Sequence, residues 1–304
     1  MLREELVFKI LEILQEGGYE VAPQISPSCF DVIARKKEIL LVKVLSNIDS
    51  LYAEQATDLR RVSKILQAKP LIVGLTAGGN AMRDRTLYQR HGVPAISFEA
   101  FKETLLENKL PFIYSHRGGF YAQINPEFLK KVRSELNLSL NDLAREAGVS
   151  RKAVYNYEHG EGAEIENVLR LQEAIGDLLL EPLDPFSCDV SETKEARPKT
   201  ALEGDVTSRL SEIGFQTETV TRTCFKIIGR SHKDILLTGF PKSPLEKRAK
   251  DMHEIAKTLQ QHGMFVAEKK AKKAVEGVPI VEREELEEIV TSRELIKLLK
   301  DLSE

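Results

Sequence analysis

The sequence predicts an α/β and all-α multidomain chain in which two α/β blocks flank a helical one. Three observations predict it. Short apolar strands alternate with amphipathic helices over the first block. The middle of the chain is a run of capped helices. The last block then repeats the element order of the first. The length of 304 residues fits this, since at ~150 residues per domain it corresponds to about two or three domains.

The first block spans residues 1–112. Leu6, Ile10, Leu11 and Leu14 recur at helical spacing, and Gly17-Gly18 stops that helix. FDVIARKKEILLVKV (30–44) reads as two apolar strands around a basic turn. LYAEQATDLRRVSKILQA is a second helix, with Ala56, Leu59, Ser63 and Leu66 along one side. PLIVGL and VPAIS are buried strands, and FEAFKETLLEN is a closing helix. FIYSHRGGFYAQI, aromatic-rich around Gly118-Gly119, reads as a hairpin leading into the helical block, 113–183. Asp184 to Thr200 has no periodicity and two prolines, and reads as a linker, 184–200.

The third block, 201–304, reads as a diverged copy of the first. Leu202, Val206, Leu210 and Ile213 make an opening helix that Gly214 ends. FKIIGRSHKDILLTGF answers FDVIARKKEILLVKV with one more residue in the turn. GVPIVEREELEEI answers GVPAISFEAFKET. The shared order and the Gly-Val-Pro landmark favour internal duplication over coincidence.

Composition limits the function classes. With 42% hydrophobic and 30% charged residues the chain reads as an ordinary soluble globular protein. A net charge of −3 is no polycation signature, so any nucleic-acid surface must be local. The three cysteines, Cys29, Cys188 and Cys224, are spread and odd in number, and read as reduced thiols of a cytoplasmic protein. The N-terminal helix carries acids throughout and does not read as a signal peptide. No apolar run approaches the ~20 residues of a membrane span. There is no Gly-rich phosphate loop, paired metal motif or credible triad, so no cofactor, metal ligand or catalytic residue is assigned.

The strongest motif is SLNDLAREAGVSRKAVYNYEHG (139–160). Ser139 caps a helix and Asp142 closes a capping box. Leu143 and Ala147 face inward, and Ala144 is small where a second helix approaches. Gly148 permits the turn, Ser150 caps the next helix, and Val154 and Tyr157 give that helix its apolar side. Arg151, Lys152, Tyr155 and Asn156 then face out. Asn125 and Pro126 start the preceding helix. Leu143-Ala144, Gly148-Val149-Ser150 and Glu158-His159-Gly160 resemble the lambda repressor and Cro-like helix-turn-helix family over roughly residues 125 to 180. The resemblance implies binding to double-stranded DNA, commonly as a homodimer on two half-sites. It implies that Ser139, Ser150, Arg151, Lys152, Tyr155 and Asn156 form the reading face. Arg151 or Lys152 would meet guanine and Asn156 adenine. Lys130, Lys131 and Arg133 are candidates for DNA-backbone contacts, with a solvated helix face as the equal alternative. The chain departs from the family at Leu140, where a hydrogen-bonding Gln is common.

The stretch 30–44 resembles the metal-dependent nuclease core PD-(D/E)xK, of restriction-endonuclease-like fold. Asp31 matches its first acid and Lys43 its lysine, but Leu41 stands where a second acid is needed. Glu4, Glu5, Glu12 and Gln55 are residues that could supplement the site. In the second copy Lys226 falls opposite Asp31, Leu237 opposite Leu41 and Gly239 opposite Lys43. Both copies therefore read as the nuclease fold without its chemistry, with a role in dimerisation and half-site spacing. The whole arrangement resembles a family of archaeal transcriptional regulators. That implies a sequence-specific DNA-binding protein and no enzyme. A metal-dependent nuclease or junction resolvase, and a protein-interaction scaffold, stay open as rivals. The basic stretches Arg83–Gly92 and Glu268–Lys273 read as solvated loops that could grip phosphates.

Overall fold

The computed structural model describes residues 2–190, 196–269 and 272–303. The first block follows the predicted order. Helix α1 (Arg3–Glu16) precedes strands β1 (Glu20–Pro23), β2 (Val32–Arg35) and β3 (Ile39–Asn47). Helix α2 (Ala53–Leu66) leads to β4 (Lys69–Ala77), β5 (Asn80–Ala81), β6 (Thr86–Arg90) and β7 (Val93–Ser97), and α3 (Phe98–Glu107) closes the block. The stretch read as a basic loop around Arg83–Gly92 contains strand β6. Its period-2 burial, Thr86 and Tyr88 inward and Gln89 outward, is masked in the sequence by the flanking arginines.

The hairpin β8 (Ile113–His116) and β9 (Gly119–Ala122) forms as expected, but it does not stand apart. β8 pairs parallel with β6, so the first sheet runs on into the helical block. That block holds α4 (Pro126–Glu135), α5 (Leu140–Glu146), α6 (Arg151–Tyr157), the short strand β10 (Ala163–Glu164) and α7 (Ile165–Ile175). The sheet order is β1-β2-β3-β4-β7-β6-β8-β9-β10, with β5 on β4.

The third block contains α8 (Ala201–Glu212), β11 (Gln216–Thr219), β12 (Ile227–Ser231), β13 (Asp234–Gly239), α9 (Leu245–Leu259), β14 (His262–Ala267), β15 (Ala274–Val275), β16 (Val278–Glu282), α10 (Arg283–Glu288) and α11 (Ser292–Ser303). Its sheet order is β11-β12-β13-β14-β16-β15. Strands two to four of each sheet pair antiparallel, then parallel: β2 with β3 and β12 with β13, then β3 with β4 and β13 with β14.

The stretch read as a linker is partly docked. Phe186 packs against the core under α1 and α3, and the Cys188 thiol donates to Gly92 O at 3.3 Å. Residues 191–195 of it lie outside the described residues, as do Lys270 and Ala271 of the basic stretch Glu268–Lys273.

Each sheet is covered on one face by its own helices, α1 and α3 over the first and α8, α10 and α11 over the second. The opposite faces share one apolar cluster. Ile33, Leu41, Leu59 and Val62 from the first block join Phe225, Ile228, Leu237 and Met252 from the second. Helix α2 packs on β11 and β12 as well as on its own sheet, and α9 packs reciprocally on β1 and β2. These two faces are thus closed against each other within one chain, along a seam.

Two carboxylates fix this seam. Asp58, fully buried on α2, accepts from the Thr221 amide at 2.9 Å, the Thr221 hydroxyl at 2.7 Å and the Arg222 amide at 3.0 Å. Asp251, buried on α9, accepts from the Ile25 and Ser26 amides, each at 2.9 Å. Cys29 and Cys224 are buried at the same seam. Burial pushes both thiols up, Cys224 to about 12. Replacing either aspartate leaves backbone donors dry and unpaired, at ~1–3 kcal/mol for each such group. Asp58→Ala and Asp251→Ala are each expected to lower unfolding stability by about 3 kcal/mol in urea titrations. Losses within about 0.5 kcal/mol, the range of ordinary surface changes, would contradict this account of the seam.

Candidate nucleic-acid interface

The helical block is organised around α5 and α6. The Ser139 hydroxyl accepts from the Asp142 amide and donates to the Asp142 carboxylate at 2.5 Å, while the Ser139 amide donates to the same oxygen. These bonds hold the Asp142 carboxyl below the usual range. Gly148 turns the chain between the helices at φ +62°, a left-handed geometry that a side chain would strain. Ser150 caps α6 by accepting from the Ala153 amide at 3.0 Å. Leu143, Ala144, Ala147, Val154 and Tyr157 form the core, as the motif predicts. Leu140, the departure from the family pattern, packs against the edge of that core, so its apolar side chain serves the fold.

Arg151, Lys152 and Tyr155 project from one side of α6, and Tyr155 is 50% exposed. Tyr155 stacks on His159, with ring centroids 3.9 Å apart. Asn156 is half-buried, and its amide donates to Glu161 at 2.7 Å, so pairing with a base requires it to exchange that partner. Ser139 and Ser150 stand at the N-termini of α5 and α6, where unpaired amides favour an anion.

The three basic residues of α4 divide. Lys130 and Lys131 lie 3.8 Å from Glu127 and Glu135 respectively, loose surface pairs that solvent screens. Arg133 turns inward. It meets the buried Glu158 through two bonds, at 2.6 and 3.2 Å, and donates to Leu138 O at 2.9 Å. Arg133, a candidate for a DNA-backbone contact, thus braces α4 against the end of α6. Arg145, which the motif did not single out, is 75% exposed beside Asp142.

The nuclease-like site has different neighbours from those a metal needs. Asp31 is buried at the head of β2. One of its oxygens accepts from Arg3 at 2.5 Å and Lys43 at 3.2 Å, and the other from the Val44 amide at 2.7 Å. Lys43 also donates to Ser28 O at 2.8 Å. Leu41 is fully buried within the seam cluster. Glu4, Glu5 and Glu12 are exposed on α1, and Glu38 pairs with Lys69 at 2.5 Å. Gln55 lines the cleft over Asp31 but accepts from the Tyr52 amide. The donor set is thus one carboxylate already shared by two cations, which does not fit a divalent metal. Among the described residues no group of three or more His, Cys, Asp and Glu is placed to hold one.

The third block has no such site at the matching place. Register places Lys226 at the position of Asp31, and the Lys226 amide bonds Thr238 O as the Asp31 amide bonds Val42 O. The Lys226 ammonium donates to Thr221 O, and burial lowers its pKa. Gly239 occupies the position of Lys43. A Cβ there would lie 2.7 Å from the Phe265 ring and 2.8 Å from the Met252 methyl, so those side chains fill the site.

Residues 3–111 match the PD-(D/E)XK superfamily domain, and residues 127–181 match a helix-turn-helix domain. A relative from Thermococcus kodakarensis is 36% identical, over 99% of this chain and 97% of its own length. A relative from Archaeoglobus fulgidus is 32% identical over 98% of both chains. One from Methanocaldococcus jannaschii is 31% identical over 99% of this chain and 98% of its own. Each carries the name "putative HTH-type transcriptional regulatory protein". No solved structure matches. Among the described residues no helix is long and apolar enough to cross a membrane.

The brace at Arg133 yields a test. Removing one partner of a buried pair costs ~3–5 kcal/mol, whereas removing both costs much less. Because Arg133 is partly exposed, Arg133→Met is expected to cost about 2–3 kcal/mol. The Arg133→Met/Glu158→Leu double variant should recover most of it and keep the wild-type salt dependence of DNA binding. A salt slope lower by about one in that double variant would restore Arg133 as a phosphate contact.

Proposed function

The chain belongs to this family of archaeal HTH-type transcriptional regulatory proteins, and we propose that it is a sequence-specific DNA-binding regulator that docks in the Cro-like manner. The observation that carries the reading is α6: a capped, braced helix offering Arg151, Lys152 and Tyr155 to solvent. Such a helix enters the major groove with its N-terminal residues at base edges. Arg151 and Lys152 are assigned to base edges or phosphates, and Tyr155 to a phosphate or a thymine methyl. Asn156 is assigned to adenine after release from Glu161. Ser139 and Ser150 present helix N-termini to phosphates, and Lys130 and Lys131 contact the DNA backbone.

The same reading divides the chain into a nuclease-like domain (1–112), a helix-turn-helix domain (113–183), a linker (184–200) and a second nuclease-like domain (201–304). Duplication is supported by the shared strand order, the matched register and the reciprocal aspartates Asp58 and Asp251. A single helix-turn-helix reads one half-site, so an inverted-repeat operator calls for a homodimer built on a surface other than the seam.

Selection from a random duplex library at near-physiological salt should recover one motif, expected as an inverted repeat with helical-turn spacing. Arg151→Ala should weaken binding to it by about tenfold to a hundredfold, with relaxed preference at one position. No motif, or unchanged binding after Arg151→Ala and Asn156→Ala together, would refute the reading face.

Catalysis is not part of the reading, because Leu41 removes the second acid and Asp31 is already held by Arg3, Lys43 and the Val44 amide. Plasmid and four-way-junction DNA should stay intact with Mg²⁺ or Mn²⁺. Cleavage that disappears in Asp31→Ala would reverse this assignment.

A further inference from the structure

The cleft over Asp31 has lost the means to hold a metal, yet it has not been filled. It encloses about 490 Å³ at the seam between the two α/β domains. Arg3, Ser28 and Lys43 line it from the first domain and Arg222 from the second. That volume lies in the range of small-molecule sites. At the corresponding place in the second domain, Phe265 and Met252 close the space over Gly239.

Three side-chain oxygens on the loop that lines the cleft have no hydrogen-bond partner among the described residues. Ser28 is 5% exposed, and its hydroxyl has no hydrogen-bond partner among the described residues. Gln24 Oε1 and Ser26 Oγ, on the same loop, also lack partners. Burying such a group unpaired costs ~1–3 kcal/mol. The Lys43 ammonium donates to Ser28 O and Asp31 and so uses two of its three protons. Arg3 donates to Val44 O and Asp31 and keeps further N–H groups. Arg3 and Lys43 share the Asp31 carboxylate and Arg222 pairs with Glu54 at 3.4 Å, so the donors left for a ligand are the third Lys43 proton and the remaining Arg3 N–H groups.

We propose that this cleft binds the oxyanion group of a small metabolite, a phosphate or a carboxylate. Lys43, Arg3 and the Ser28 hydroxyl donate to the anion, and Arg222 closes over it from the second domain. The unpartnered oxygens of Gln24 and Ser26 accept from a hydroxyl or amine of the same ligand. A DNA phosphodiester is disfavoured because Lys43 is only 5% exposed and lies recessed between two domains. This inference does not depend on the DNA-reading assignment.

The test uses the full-length chain in chloride buffer at fixed ionic strength. Inorganic phosphate, pyrophosphate, AMP and citrate are titrated by calorimetry and by amide NMR shifts. At least one should bind saturably and shift the amides of Ser26, Ser28 and Arg222. Ser28→Ala should leave the melting temperature unchanged or raised, since it removes an unsatisfied group, yet weaken that binding about tenfold. Arg222→Gln, a change at a half-exposed side chain, should weaken it by a similar factor without unfolding the protein. No saturable binding by any of the four probes would overturn the proposal, as would equal affinity in wild type, Ser28→Ala and Arg222→Gln. Displacement of the bound probe by a duplex of scrambled sequence would overturn it in favour of the DNA backbone.

Discussion

The seam between α2 and α9 is the constraint on which the rest of the molecule depends. Each sheet has one face covered by its own flanking helices and one face on which its own single helix leaves strands open. The two open faces close on each other, with α2 reaching β11 and β12 and α9 reaching β1 and β2. An apolar layer of this kind tolerates polar atoms only where they are paired. Asp58 and Asp251 meet that condition by taking the amides of the opposing loops. The layer also decides position 41. An acid there would place a charge inside the cluster that joins the two domains. Leu41, with no exposed surface, adds to that cluster. The residue that removes the metal ligand is therefore also one that builds the seam.

Much of this was legible in local pattern and little of it in long-range contact. Helix α1 followed from Leu6, Ile10 and Leu14, and α5 and α6 from Ser139, Gly148 and Ser150, because periodicity and capping are properties of neighbouring residues. The register of Lys226 against Asp31 also followed from sequence, since turn length fixes it. Strand β6 was missed because Arg83, Arg85 and Arg90 made its surroundings look solvated, although Arg83 lies 4.2 Å over the Phe120 ring and Arg90 pairs with Asp49. The partner of Arg133 was hidden for a related reason. Helical position says that this arginine leaves α4, but only the fold says that Glu158 waits for it. Arg3 and Arg222 carried no readable signal, because their importance arises from residues far away in sequence.

The charge layout shapes how the helical block can act. Lys130, Lys131 and Arg145 each have an acid within reach on the same helix, and the net charge of the chain is −3. Affinity for DNA in general comes mostly from cations placed on phosphates. A block with few unopposed cations gains little from that term, so under the proposed function discrimination rests on α6. One α6 reads only a few base pairs, which is why a second half-site matters to this reading. The seam cannot supply the second copy, because its apolar surface is already spent within one chain.

The two α/β blocks, whose second to fourth strands pair in the same way, present a controlled comparison. A buried ammonium such as Lys43 is costly to desolvate, and replacing a buried ion pair by packed apolar groups is often neutral or stabilising. The second half has that arrangement: glycine at the position of Lys43, with Phe265 and Met252 occupying the space. The first half instead retains Arg3, Asp31 and Lys43 around an open cleft, with the buried Ser28 hydroxyl lacking a partner among the described residues. Folding alone gives no reason for this difference, because the solid-packed alternative exists in the same chain, on the same topology and against the same seam. Metal chemistry gives none either, because Leu41 offers no ligand and Asp31 alone, shared by two cations, does not make a metal site. A requirement that remains is an external anion, which would turn the cost of holding two cations around one carboxylate into binding energy.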